Sequence, residues 1–426
     1  MLTTALALLE RGFQVDVVVC RRQGPLVDCV PPGARVVELR PSWPLVGRAY
    51  ALAADPGGLA ELLRPVLIPR KAPHRLTFLP ALARYLRTNR PDALLAAMPA
   101  ASLMAVWARR LARVPTRIVV SQRNTLSSTL GGSEKWRKRF LPPLIRRVYG
   151  EADAIIAVSD GVAEDLAQCA GISRECVRTV YNPVVTPELV RKAKEPLQHP
   201  WFEKGAPPVV LGVGALIPQK DFPTLIRAFA RVRARRPCRL MILGQAKSPE
   251  DTAARHAELR ALAHELSVAD DLELPGFVEN PFKYMINASL FVLSSRFEGL
   301  PGVLIQALAC GCPAVSTDCP HGPAEILDGG RYGKLVAVGD DAALADAMAA
   351  TLDAPPPAAT LRARAALFSL ESAVDRYLEL LLGHAPQGAP SAACAQALPV
   401  RPADLLRGPG SPSALRRRAD HGLTVD

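Results

Sequence analysis

Residues Phe297 to Gly311 read F-E-G-L-P-G-V-L-I-Q-A-L-A-C-G. A strand-like run at 291–295 leads into a loop with a carboxylate, Glu298, followed by Gly299, Leu300, Pro301 and Gly302. An apolar helix-like run comes next. Backbone N–H groups at a helix N-terminus attract anions. Glycines let a ligand approach the backbone closely, and a carboxylate accepts hydrogen bonds from hydroxyls. The combination suits a phosphorylated, hydroxyl-rich ligand, although an ordinary strand–loop–helix joint has the same pattern. Lys220 offers complementary chemistry. It sits in the loop between a strand-like run at 209–215 and a helix-like run at 222–235, where a cation beside helix amides suits a diphosphate. Taken alone it equally reads as a solvated loop lysine. Phe277 and Val278, at the end of a further strand-like run, could flank a planar base or simply pack in the core.

The elements that must hold these residues alternate. In the first half, helix-like 3–12, 79–91, 101–112 and 161–171 are interleaved with strand-like 14–19, 35–39, 93–98, 116–122, 152–159 and 177–184. Residues 191–208 break the pattern with charge and proline and read as a linker. A second series runs from 209 to 353, and 361–383 reads as two helical pieces. Short apolar runs between amphipathic helices predict parallel sheets covered on both faces. The expected organisation is α/β, with two tandem doubly wound domains at 1–190 and 209–360. Helices at 361–383 and a disordered tail, 384–426, rich in Pro, Ala, Ser and Gly, complete the chain.

Within this series several segments resemble the motifs of family 4 retaining glycosyltransferases, which use nucleotide sugars and have the GT-B fold. They are E-G-L-P-G-V-L-I-Q-A-L-A-C-G (298–311), G-A-L-I-P-Q-K-D-F-P-T-L-I-R-A-F (214–229), L-P-G-F-V-E-N-P (274–281), S-T-D-C-P-H-G-P-A-E-I-L (316–327) and A-D-A-I-I-A-V-S-D-G-V (152–162). The resemblance covers nearly all of residues 1–383. It implies transfer of a sugar from a nucleotide diphosphate sugar to a glycan or lipid-linked acceptor, with the donor on the second domain and the acceptor on the first. Glu298 matches the first glutamate of the E-x7-E signature, which lies on the donor sugar. Lys220 matches the donor-phosphate lysine, and Gly214, Gly299, Leu300, Pro301, Gly302, Gln306, Phe277 and Val278 fall at other donor positions. The family works without a metal and without a further cofactor.

Three departures stand out. Gln306 occupies the second glutamate position, and Ala215 occupies that of an arginine which contacts the diphosphate. The chain also starts directly on a helix, where the resemblance implies a preceding strand and Gly-rich loop, so the first strand of the first domain is expected to be missing. Another GT-B activity, such as a sugar-nucleotide epimerase, and a non-catalytic GT-B remnant acting as a binding protein therefore stay open.

Charge and cysteine usage bound the partners. The 426-residue chain carries a net +12, but its first 150 residues hold 24 Lys and Arg against 8 Asp and Glu. The basic excess thus belongs to the first domain, and its field draws anionic surfaces or phosphorylated ligands. The stretch 135–147 sets Lys135, Arg137, Lys138, Arg139, Arg146 and Arg147 among Trp136, Phe140, Leu141, Leu144 and Ile145. It suits peripheral docking on an anionic membrane and equally a solvated basic helix with one packed face. No recognition motif for nucleic acid accompanies the charge. The longest apolar run, about nine residues, is short of the roughly 20 of a membrane span. Nine scattered cysteines argue against a disulfide framework and for a reduced, cytoplasmic setting. Asp340-Asp341 reads as a helix cap, not a metal site.

Overall fold

A computed structural model describes residues 1–23, 27–67, 74–130 and 140–383. The tail 384–426 and the basic positions Lys135, Arg137, Lys138 and Arg139 lie outside the described residues.

The first half contains β1 (Asp16–Val19), β2 (Arg35–Glu38), β3 (Ala93–Ala97), β4 (Arg117–Gln122), β5 (Ala154–Ala157) and β6 (Val177–Thr179). The second contains β7 (Val209–Val213), β8 (Arg239–Leu243), β9 (Leu272–Gly276), β10 (Leu290–Leu293), β11 (Ala314–Thr317) and β12 (Lys334–Val336). Every pairing is parallel. Helices cover both faces of the second sheet, which is why its strands read as continuous apolar runs. Along β7 the side chains alternate: Val209 and Leu211 join one core, and Val210 joins the other with Leu225, Phe229 and Leu344.

The second sheet runs β9-β8-β7-β10-β11-β12, the doubly wound order that reverses direction between β7 and β10. In the first half β3-β4-β5-β6 form one sheet, and β1-β2 form a separate two-stranded one. Among the described residues no strand bridges β1 and β3.

The two halves are joined by two neighbouring crossings. Val184 N and Val185 N both donate to Phe368 O at 3.1 Å, and Leu370 N donates back to Val185 O at 3.0 Å. The rings of Tyr181 and Phe368 lie 4.8 Å apart beside them. After the second crossing the helix Leu370–Leu382 returns to the first domain. Its Ala373, Tyr377 and Leu380 cover Val119, Ala154, Ile156 and Val180, and Arg117 Nε donates to Leu380 O at 2.6 Å. The stretch read as a linker begins within the last turn of the helix Pro187–Ala193 and carries a turn at Pro200–Phe202. His199 holds that turn to Glu273 at 3.1 Å.

The described part of 135–147 corrects the bilayer reading of its side chains. In the helix Leu141–Tyr149, Leu144 and Ile145 are fully buried. Arg147 is bound through Nε and Nη2 to Asp55, a carboxylate 1% exposed that Arg110 also reaches at 3.2 Å. The apolar side chains face inward because a parallel sheet needs a helix packed on each face. Asp340 does cap its helix, accepting from Ala343 N at 2.9 Å. Cys169, Cys238, Cys310, Cys312 and Cys319 carry free thiols, while Cys176 is disulfide-bonded, a pairing that its spacing did not suggest.

Candidate active site

Open parallel sheets bind ligands beyond the carboxyl ends of their strands, where the strand order reverses. Here the chain leaving β7 delivers Gly214, Ala215 and Lys220, and the chain leaving β10 delivers Ser295 and Glu298. Both loops turn toward the same point. Lys220 Nζ donates to Glu298 Oε1 at 2.5 Å, and Ser295 Oγ donates to the same oxygen at 2.7 Å. The carboxylate and the ammonium are 8% and 16% exposed, so the pair is largely out of water but open at one end.

The surrounding backbone locks the two loops together. Ser294 Oγ donates to Lys220 O at 2.8 Å, Arg296 N to Gln219 O at 2.8 Å, and Gln219 Nε2 to Phe297 O at 2.8 Å. Arg296 Nε meets buried Asp221 at 3.0 Å. Cys319 lies beside Glu298, and burial first, then that carboxylate, push its thiol up to about 12. It therefore stays neutral and is no nucleophile.

A cleft of about 270 Å³ adjoins the pair, lined by Val213, Gly214, Ala215, Gly244, Gln245, Phe277 and Val278 among others. The stem of Lys220 lies along Gly214: a Cβ there would be 3.4 Å from three of its carbons. Gly244 has φ +154°, and a Cβ on it would sit 1.8 Å from Gly214 O, so only glycine lets β7 and β8 leave the sheet this close together. Phe277 is 66% exposed at the cleft mouth, which removes it from the core. Leu300 and Pro301 are buried, leaving only their backbone for contact. Gln306 is half-buried on the helix Gly302–Ala309, whose N-cap has no side-chain partner.

The first domain closes against this site. Ser159 Oγ donates to Gly299 O at 3.0 Å, and a Cβ at Gly299 would stand 3.0 Å from Arg123 O. Asp160 N and Gly161 N donate to the two oxygens of Glu325 at 2.8 and 3.3 Å, so a second-domain carboxylate caps the first-domain helix Asp160–Ala170. Tyr181 lies near the same carboxylate; burial, then Glu325, raise its pKa.

Two family models cover most of the chain. One described as Glycosyltransferase Family 4 matches residues 1–187, and one described as Glycosyl transferases group 1 matches residues 207–354. Among solved structures, the Anabaena protein HepE in complex with UDP aligns with a TM-score of 0.66 over 89% of this chain and 94% of its own, at 20% identity. The outer-core galactosyltransferase WaaB, of lipopolysaccharide synthesis, aligns with a TM-score of 0.57 over 73% and 80%, at 21% identity. The fold is that of the GT-B glycosyltransferases. Among curated proteins, the N-acetylgalactosamine-N,N'-diacetylbacillosaminyl-diphospho-undecaprenol 4-alpha-N-acetylgalactosaminyltransferase of Campylobacter jejuni is 35% identical over 198 residues, 46% of this chain and 50% of its own. The lipopolysaccharide core biosynthesis glycosyltransferase LpsE of Rhizobium meliloti is 28% identical over 55% of this chain and 65% of its own. The chain thus spans from half to just under two thirds of the length of these two curated relatives.

In this GT-B frame, Lys220, Glu298 and the adjoining cleft form the second-domain wall, and Arg123, Ser159 and Tyr181 stand on the first-domain side. No cluster of three His, Cys, Asp or Glu that could hold a metal occurs among the described residues. Sequence reading missed Ser295, Ser159, Tyr181 and Glu325. Ser159 and Glu325 both sit inside segments that carried the resemblance, but a hydroxyl and a carboxylate gain meaning only from what folding brings beside them.

Proposed function

We propose that this chain is a retaining glycosyltransferase that moves a sugar from a nucleotide diphosphate sugar to a lipid-linked or cell-surface glycan acceptor. The carrying observation is the Lys220–Glu298 pair at the point where the strand order reverses, beside a cleft of about 270 Å³. In this reading the base lies in the cleft between Phe277 and Val278, and the ribose lies toward Gln306. The diphosphate lies over Gly214 and against Lys220, with the backbone amides that open the helix Gly302–Ala309 beyond it. The sugar lies by Glu298, whose carboxylate accepts from its hydroxyls and steadies the positive charge that develops at the anomeric carbon.

In the transfer step the acceptor oxygen forms the new bond to the anomeric carbon as the bond to the phosphate oxygen breaks. The acceptor proton passes to the departing diphosphate, from the same face of the sugar. Lys220 and the helix amides take up the charge that this oxygen gains, so a metal is not required by the proposal. The acceptor sits on the first domain, whose basic excess suits a membrane-proximal, lipid-linked substrate on the cytoplasmic face. The Campylobacter relative's undecaprenyl-diphosphate acceptor is of that class.

The test is release of nucleoside diphosphate from a panel of nucleotide sugars, with and without an undecaprenyl-diphosphate-linked glycan, with the product's anomeric configuration read by NMR. Acceptor-dependent release with retention supports the reading. Epimerised donor without transfer replaces it with an epimerase. Nucleotide binding without turnover in either assay replaces it with a binding protein.

A further inference from the structure

The helix Pro44–Ala54 has one charged residue, Arg48, in eleven. Its inward face is Gly47, Ala51 and Ala54, all buried. Gly47 packs so closely that a Cβ would lie 2.5 Å from Leu76 O. Its outward face is Leu45, Val46, Ala49, Tyr50, Leu52 and Ala53, every one of them exposed. Trp43, at the N-cap, is 81% exposed and Leu45 is 74% exposed. Leu59 and Leu63, on the turns that follow, add 49% and 43% exposed side chains.

A helix that is apolar all round belongs inside a protein or in lipid. A contiguous exposed apolar patch of this kind marks an interaction surface. Two observations select the partner. Trp and Tyr at the rim of an aliphatic surface are the side chains that settle at a membrane–water boundary. The patch also belongs to the half of the chain that holds 24 Lys and Arg against 8 Asp and Glu.

We propose that the outer face of the helix Pro44–Ala54, with Trp43, Leu59 and Leu63, inserts into an anionic lipid surface and seats the first domain on it. This deepens the membrane-proximal reading above and rests on it. It also relocates the contact: Leu144 and Ile145 are interior, whereas the helix Pro44–Ala54 presents its aliphatic residues outward. Insertion supplies the apolar part of the binding, and the basic field supplies a salt-sensitive part.

The full chain is mixed with vesicles of phosphatidylcholine alone, and of phosphatidylcholine with phosphatidylglycerol, and sedimented. Binding to the anionic vesicles that weakens with salt is expected, together with a blue shift of tryptophan fluorescence. Leu45→Glu combined with Tyr50→Glu lowers the vesicle partition by roughly tenfold or more, whereas Leu367→Glu, at another exposed leucine, leaves it unchanged. Trp43→Ser is the second variant, at a position too exposed to affect folding, and lowers the partition and removes the blue shift. UDP titration of each variant stays at the parent value, so loss of docking is told apart from loss of the donor site. Equal binding to neutral vesicles overturns the proposal, as does an unchanged partition of the variants. Conversion of a dimer to a monomer by the variants, without lipid dependence, also overturns it and assigns the face to a second copy of the chain.

Discussion

Lys220 and Glu298, 78 residues apart in sequence, share a hydrogen bond of 2.5 Å at the reversal of the second sheet. Each is thus the other's partner until a ligand enters. Under the proposed function, a diphosphate that took up the ammonium would free the carboxylate for the sugar hydroxyls and so couple the two halves of donor recognition. Lys220→Ala should weaken UDP or GDP binding at least tenfold by titration calorimetry, since a charge-assisted hydrogen bond contributes about 1.5–3 kcal/mol. Glu298→Gln keeps the shape and should leave nucleotide affinity near the parent value while transfer falls on the order of a hundredfold. A Glu298→Gln protein with parental turnover would remove the residue from the chemistry.

Ala215 lines the cleft beside the Lys220–Glu298 pair, where the resemblance has a phosphate-binding arginine, and Gln306 stands where it has a glutamate. Ala215→Arg with Gln306→Glu should raise transfer, with the larger gain in donor affinity, because the added guanidinium restores a charge-assisted contact. Steady-state kinetics on both nucleotide classes would show it. A fall in rate would mean that the two residues serve a different donor.

Glu325 receives Asp160 N and Gly161 N from the facing domain. Glu325→Ala should destabilise the closed arrangement by about 1–3 kcal/mol, the usual cost of leaving such donors unpaired. Small-angle scattering should then report a larger radius of gyration without any change in helix content.

Asp55 is buried, and burial works against its ionisation, but the guanidiniums of Arg147 and Arg110 more than offset this and hold its pKa below the ordinary carboxylate value. Its stabilisation is therefore complete above the unfolded pKa of about 3.9 and lost as pH falls through the lower folded value. Asp55→Asn should cost about 3 kcal/mol at neutral pH, the low end for a broken interior pair, because both arginines reach solvent. Denaturant titrations at a series of pH values should show the gap between variant and parent closing on the acid side of pH 4, roughly.

Much of this was legible beforehand, and the exceptions have physical reasons. Strands such as β5 and β10 were clear because burial on both faces makes the run continuously apolar. Lys220 and Glu298 were singled out by their loops, and folding placed them in contact. The helix Pro44–Ala54 was missed for the very property that makes it interesting: with no polar face it has no 3.6-residue alternation to read. The end of β6 was overextended, since chain leaving a sheet stays apolar when it packs under a neighbouring loop. The partners of Glu325 were beyond reach, as both of its donors are backbone amides, which carry no residue signature.

The paired crossings at Val184–Val185 and Phe368–Leu370 have a mechanical consequence. A single tether lets two bodies swing, roll and twist almost equally. Two tethers side by side, stitched by three backbone hydrogen bonds, act as the knuckles of a door. Swinging about the line through both is soft, whereas twisting would shear the stitches. Any separation of the two halves would therefore follow one path, and its reversal would return Ser159 to Gly299 and Glu325 to the helix end it caps, with no search over orientations.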